Sequence, residues 1–205
     1  MTAKEIEAAL AVVRGERDLN AKALLMAGLV SELFRERDFE PVIVGGSAIE
    51  FYTDGAYMSG DTDICWAGLR QPSLDERDEI MRQIPDITSH GGKSWRWDDL
   101  WIDLLGEVDY VAKKEFARIF TPFGEVVVIS IEDALVGRVY SARCWTGYNS
   151  DDDACAKKLM AAVVRDGIPF DWDEAQRVAE SPKYRCWQEV QSVREEVEAE
   201  LADGA

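Results

Sequence analysis

The chain has 205 residues, with 40 Asp and Glu against 23 Lys and Arg, so its formal net charge is −17. Hydrophobic residues make up 47%, enough for a packed core, which excludes wholesale disorder. Such an acid excess argues against a general DNA- or RNA-coating protein and against an anionic membrane surface, because both draw affinity from Lys and Arg.

The length suits one compact domain with at most a small appendage. Apolar runs such as Val126–Ile129 fall far short of the ~20 residues that cross a bilayer. The opening Met1-Thr2-Ala3-Lys4-Glu5 has an acid at once and no apolar segment behind it, so no secretory signal is expected. Cys65, Cys144, Cys155 and Cys186 form no Cys-x-x-Cys pair, and His90 is the only histidine. Zinc is therefore not expected, and reduced thiols in a cytoplasmic protein are. His90, inside Ser89-His90-Gly91-Gly92, reads as an exposed loop residue.

In chain order, the first ~35 residues read as helical. Ile6, Leu10 and Val13 share one face, and Asn20 is placed to cap a second helix carrying Leu24, Leu25, Leu29 and Leu33. Pro41-Val42-Ile43-Val44 is a β-branched run ending at Gly45-Gly46, hence a buried strand. Ser47–Tyr52 reads as the first turns of a helix, Thr62–Trp66 as a strand and Leu74–Ile84 as a helix. Trp95–Leu105 contains a third strand, and Phe116–Ile131 two short ones around the turn Thr121-Pro122-Phe123-Gly124. Four helices follow, at Ile131–Arg143, Asp151–Arg165, Trp172–Glu180 and Tyr184–Leu201. The last carries Cys186, Val190, Val193, Val197 and Leu201 on one stripe. The expectation is an α+β fold: N-terminal helices over 1–35, a mixed-sheet core over 36–131 and a helical part over 132–205.

Three pieces carry chemistry. The first is the strand–turn–helix Val42–Ala48. Gly45 and Gly46 let backbone approach a ligand, and a helix start offers unpaired N–H groups to phosphate. Ser47 adds a hydroxyl, or simply caps the helix. The turn is neither a Walker A loop nor a dinucleotide fingerprint. The second is Asp61-Thr62-Asp63, whose acids point the same way on a strand about 6.5–7 Å apart. Two such carboxylates repel unless a cation lies between them, and Mg²⁺ favours one or two carboxylates plus phosphate oxygens. Asp151 and Asp153 form a second pair of this spacing. The third is Asp103, a lone acid in the apolar strand Leu100–Leu105, costly to bury unpartnered. If the two strands are neighbours, Asp61, Asp63 and Asp103 form one cluster able to hold two divalent ions.

Together, Gly45-Gly46-Ser47, Asp61-x-Asp63 and Asp103 resemble the nucleotidyltransferase superfamily of the DNA polymerase β type. The closest-looking branch is the small prokaryotic one of AbiEii-type toxins and minimal nucleotidyltransferases. The resemblance spans about residues 40–165 and includes Ile131-Glu132-Asp133-Ala134-Leu135, Arg143 and the Asp-rich helix start at Asp151. It implies a nucleotidyltransferase core in which Gly45, Gly46 and Ser47 hold an NTP. In it Asp61, Asp63 and Asp103 bind two Mg²⁺ or Mn²⁺, and Asp103 acts on an acceptor hydroxyl of an RNA, a protein or a small molecule. The interval from Gly46 to Asp61 is longer than in the tightest members, so residues 53–56 are expected to loop out. An Asp-x-Asp phosphatase is disfavoured because Tyr57–Gly60 is no apolar strand. A sugar-nucleotide transferase is disfavoured by chain length and by the Gly-Gly-Ser turn. The rival reading is a catalytically silent nucleotidyltransferase-like binding module, one member of a toxin–antitoxin pair.

Residues 134–165 are the less acidic flank, with Arg138, Arg143, Lys157, Lys158 and Arg165 against Asp151, Asp152 and Asp153. Arg143 and Lys157 are the residues expected to contact the nucleotide phosphates. A large RNA acceptor is expected to dock on the same flank.

Overall fold

The computed structural model describes residues 1–203. It begins with α1 (Ala3–Gly15) and α2 (Leu19–Arg35). Thr2 and Glu5 close a capping box on α1, each side chain meeting the other residue's backbone N–H. Asp18, not Asn20, caps α2, accepting the Ala21 N–H at 2.8 Å. Asn20 is buried instead, its amide donating to Asp54. A carboxylate two residues earlier in the chain had the better geometry for the free N–H groups.

The sheet-forming part runs β1 (Glu40–Val44), α3 (Gly45–Tyr52), β2 (Thr62–Ala67), α4 (Leu74–Met81), β3 (Thr88–His90), β4 (Ser94–Trp97), β5 (Leu100–Glu107), β6 (Ala117–Thr121) and β7 (Gly124–Val128). The seven strands form one mixed sheet in the order β3-β4-β5-β2-β1-β7-β6. The strand expected within Trp95–Leu105, centred on Leu100–Leu105, is β5, and a further strand, β4, precedes it across a turn at Asp98 and Asp99. Asp98 takes φ +56°, and the buried Lys22 ammonium pairs with both carboxylates. His90 lies in edge strand β3 rather than in a loop.

Helices α5 (Ile131–Arg143), α6 (Ser150–Arg165), α7 (Trp172–Ala179) and α8 (Trp187–Asp203) complete the fold. Among the described residues no helix is long and apolar enough to cross a membrane. Buried apolar side chains gather in two clusters. One joins α1 and α2 to one sheet face, with Trp66 against Phe34 at a 4.7 Å ring separation. The other joins α5–α8 and Ile49 of α3. The expected stripe Cys186, Val190, Val193 and Val197 is buried in it. Helices α3 and α5 thus lie where the two clusters meet, and the candidate site is at that junction.

Candidate active site

β2 pairs with β1 on one side and with β5 on the other. Val44, the last residue of β1, is opposite Asp63, and Asp63 is opposite Asp103. Residues paired in register point to the same face. Asp61 stands two residues before Asp63, at the entrance to β2. One oxygen from each of Asp61, Asp63 and Asp103 lies within 4.8 Å of the others. The strand adjacency that the isolated Asp103 required is therefore present.

The surroundings bear on what these acids do. Burial, then the charges of Asp61 and Asp103, push the Asp63 carboxyl up to about 6, against the pull of Arg138 and the Gly46 N–H. A carboxyl so strained has a use for a cation beside it. Three hard oxygen donors at this spacing suit Mg²⁺ or Mn²⁺ better than a softer metal. The donor set therefore fits the ions that the resemblance implies.

The two glycines have steric reasons. Gly45 adopts φ +63°, and a Cβ there would sit 2.1 Å from Asp63 Oδ2. A Cβ on Gly46 would sit 2.6 Å from Ser59 Oγ. Ser47 differs from expectation on both readings of its hydroxyl. It is the third residue of α3 rather than its cap, and it is fully buried. Its Oγ donates to Val44 O at 2.9 Å and accepts the Asp63 N–H at 3.1 Å. Ser47 ties the β1–α3 corner to the strand bearing Asp63. The backbone at Gly45 is what faces open space.

That space is a cleft of about 530 Å³ between sheet and helices, lined among others by Val44, Gly45, Ile129, Arg138, Tyr140 and Trp145. Within it, Ala134, Gly137, Arg138 and Ser141 form one face of α5, and the small residues leave room beside Arg138. Arg138 pairs with Asp152 and acts on Asp63. Arg143 lies five residues further on, about 140° around the helix. It pairs with Asp153 at 2.6 Å and with Glu196 at 2.8 Å, joining α5 to α6 and α8. Lys157 is held by Glu196 at 2.9 Å and Glu200 at 3.2 Å. The structure thus brings Asp61, Asp63, Asp103, Gly45 and Gly46 together, and seats Arg143 and Lys157 in ion pairs elsewhere. Arg138 stands nearer to where a phosphate-binding residue was expected.

Glu50 was not anticipated. It is 3% exposed on α3 and accepts the Ser59 N–H at 2.7 Å. Ser59 Oγ donates in turn to Asp61 at 3.2 Å. Burial raises the Glu50 carboxyl. The residue anchors the loop that delivers Asp61. Its signal was an acid three residues after Ser47 in an otherwise apolar helix start.

No protein-family model matches the sequence, and no curated protein matches it either. Among solved structures, the chain superposes on an antigenic nucleotidyltransferase-like protein from Paracoccidioides brasiliensis with a TM-score of 0.53. The two share 13% identity over 86% of this chain and 92% of that one. ANT(2")-Ia in complex with adenylyl-2"-tobramycin gives a TM-score of 0.45 at 11% identity, covering 88% and 99%. Its solution structure gives 0.38 at 15% identity, covering 88% and 95%. The mixed sheet, the order of its elements and the first of these superpositions show a nucleotidyltransferase-like α+β fold.

Proposed function

We propose that the protein is a nucleotidyltransferase that moves an NMP group from an NTP to an acceptor hydroxyl. The observation that carries this reading is the carboxylate triad, with its oxygens within 4.8 Å, opening beside a cleft whose rim is the backbone of Gly45. The triphosphate would lie along the start of α3, with its base in the cleft. Arg138 offsets the charge on the phosphates. Arg143 and Lys157, expected to share that work, are proposed to brace α6 and α8 instead.

Asp61, Asp63 and Asp103 would hold Mg²⁺ or Mn²⁺, two ions in all. Bound there, these ions supply charge neutralisation on the triphosphate and a lowered pKa at the acceptor hydroxyl. Asp103, across β2 from Val44 and Gly45, would face the acceptor. The acceptor oxygen forms a bond to the α-phosphorus, the bond to pyrophosphate breaks, and the hydroxyl proton passes to the Asp103 carboxylate. Ser47 and Glu50 position Asp63 and Asp61 and touch neither reactant.

The order of motifs supports placement in the AbiEii-like branch, whose toxin–antitoxin context would add a regulatory protein partner. Four free thiols fit a reducing cytoplasm. Calorimetry with Mn²⁺ and an ATP analogue blocked at the α,β bridge tests the reading. Binding is expected in the wild type and lost in Asp61→Asn plus Asp63→Asn; equal binding in the two would end it.

A further inference from the structure

Helix α5 lays one stripe of side chains along the cleft. Ala134, Arg138, Ser141 and Trp145 follow one another at steps of four, three and four residues, so they share one face of the helix and of its continuation. All four line the cleft. From Arg138 to Trp145 the rise is about 10 Å. The loop between α5 and α6 fixes the far end: the Trp145 N–H donates to Tyr140 O at 3.1 Å, and the Asn149 N–H to Ala142 O at 2.8 Å. Asn149 then caps α6, its side chain accepting the N–H groups of Asp151 and Asp152.

Trp145 is the tryptophan that the fold leaves in water. Trp66, Trp95 and Trp97 are buried, Trp101, Trp172 and Trp187 are half-buried, and Trp145 is 69% exposed. An indole in water forgoes the burial that such a ring normally supplies, yet the backbone of this one is pinned at the cleft. Ser141, one turn nearer to Arg138, is half-buried, and its hydroxyl bonds no other group among the described residues. Starting from Arg138, whose charge acts on Asp63, the cleft therefore meets a guanidinium, a free hydroxyl and a free ring in that order along α5.

We propose that this stripe reads the nucleotide part by part, with Arg138 on the phosphates, Ser141 on the ribose and Trp145 stacked on the base. The rise of about 10 Å along the stripe matches the reach of an extended nucleotide from its phosphates to its base. Stacking on an indole suits every base, because every base has a π-face. The Ser141 hydroxyl can donate and accept, so it can bond the ribose 2′-hydroxyl, the group that separates a ribonucleotide from its deoxy form. Selection therefore falls on the sugar more than on the identity of the base. This inference rests on the nucleotidyltransferase reading, and it assigns the sugar and base ends of the NTP, which the triad does not touch.

Calorimetry in Mn²⁺ tests this with three probes: tripolyphosphate, the ATP analogue blocked at the α,β bridge, and the 2′-deoxy form of that analogue. The wild type should bind the analogue about ten-fold or more tightly than tripolyphosphate, and more tightly than the 2′-deoxy form. Trp145→Ala should bring the analogue down to near the affinity of tripolyphosphate while leaving tripolyphosphate within about two-fold. Trp145→Phe should restore most of the difference. Ser141→Ala should bind the analogue and its 2′-deoxy form alike. Equal binding of analogue and tripolyphosphate by the wild type overturns the proposal. So does an analogue affinity that Trp145→Ala leaves unchanged, a loss in that variant that tripolyphosphate shares, or a ribose preference that survives Ser141→Ala. In each of these cases the phosphates are still held and the nucleotidyltransferase reading stands; absence of all binding by the wild type ends both.

Discussion

Asp63→Asn removes the group on which the triad's repulsion is concentrated. The folded carboxyl titrates at about 6 rather than 3.8. A shift of about 2 units is worth about 3 kcal/mol. The sign follows from proton binding. Because the folded state holds this proton more tightly, Asp63 contributes most below pH 3.8, and that contribution is lost as pH rises through 6. At pH 7.5, without metal, the wild type therefore carries the full cost of an ionised Asp63. Asn escapes the charge but still buries a polar group, so about 3 kcal/mol is a ceiling. For a chain of this size 1 kcal/mol moves Tm by about 2–4 °C. Scanning calorimetry in EDTA should show Asp63→Asn melting about 5 °C or more above the wild type at pH 7.5. The gap should close near pH 4, where the wild-type carboxyl is protonated. Adding Mn²⁺ should raise Tm of the wild type and leave the variant unmoved. A variant less stable at pH 7.5, or a gap independent of pH, refutes the electrostatic reading of the triad.

Arg138→Ala should weaken NTP binding at least ten-fold, read by calorimetry, and should also lower stability in urea unfolding, because it strands the partly buried Asp152 carboxylate. Arg143→Ala should lower stability alone: it strands the buried Asp153 carboxylate, costs about 3 kcal/mol and leaves NTP affinity within two-fold (about 0.4 kcal/mol). Gly45→Ala must take φ +63° and collide with Asp63, so urea unfolding should show a loss of at least about 1–2 kcal/mol, with Mn²⁺ binding lost as well. Glu50→Gln keeps an acceptor for the Ser59 N–H and should bind Mn²⁺ like the wild type, whereas Glu50→Ala should bind it several-fold more weakly.

Much of this arrangement was legible in the residues because local chemistry and tertiary structure agree there. The abrupt end of the Pro41–Val44 run at two glycines marked the strand–helix corner, and Asp103 stood out as a charge in an apolar strand. The α5 boundaries follow from Ser130 as cap and Cys144 as stop. What was not legible depends on direction in space. Ser47 looks like a phosphate ligand or a cap by position, but its hydroxyl turns inward because Asp63's N–H needs an acceptor. Arg143 and Arg138 are equally basic in the sequence, and only the turn of α5 between them decides which faces the cleft. His90 looked like a loop residue because β3 is three residues long and flanked by Gly91-Gly92, so strand periodicity had no room to show.

The most direct test of nucleotidyl transfer follows α-labelled NTP and pyrophosphate together, with Mg²⁺ and a panel of RNA, protein and small-molecule hydroxyl acceptors. Labelled acceptor and pyrophosphate are expected in equal amounts. Asp103→Asn should slow this by at least about 10²-fold, the scale of a positioned proton acceptor, while Mn²⁺–NTP binding survives. Pyrophosphate without labelled product, or transfer undiminished in Asp103→Asn, would contradict it.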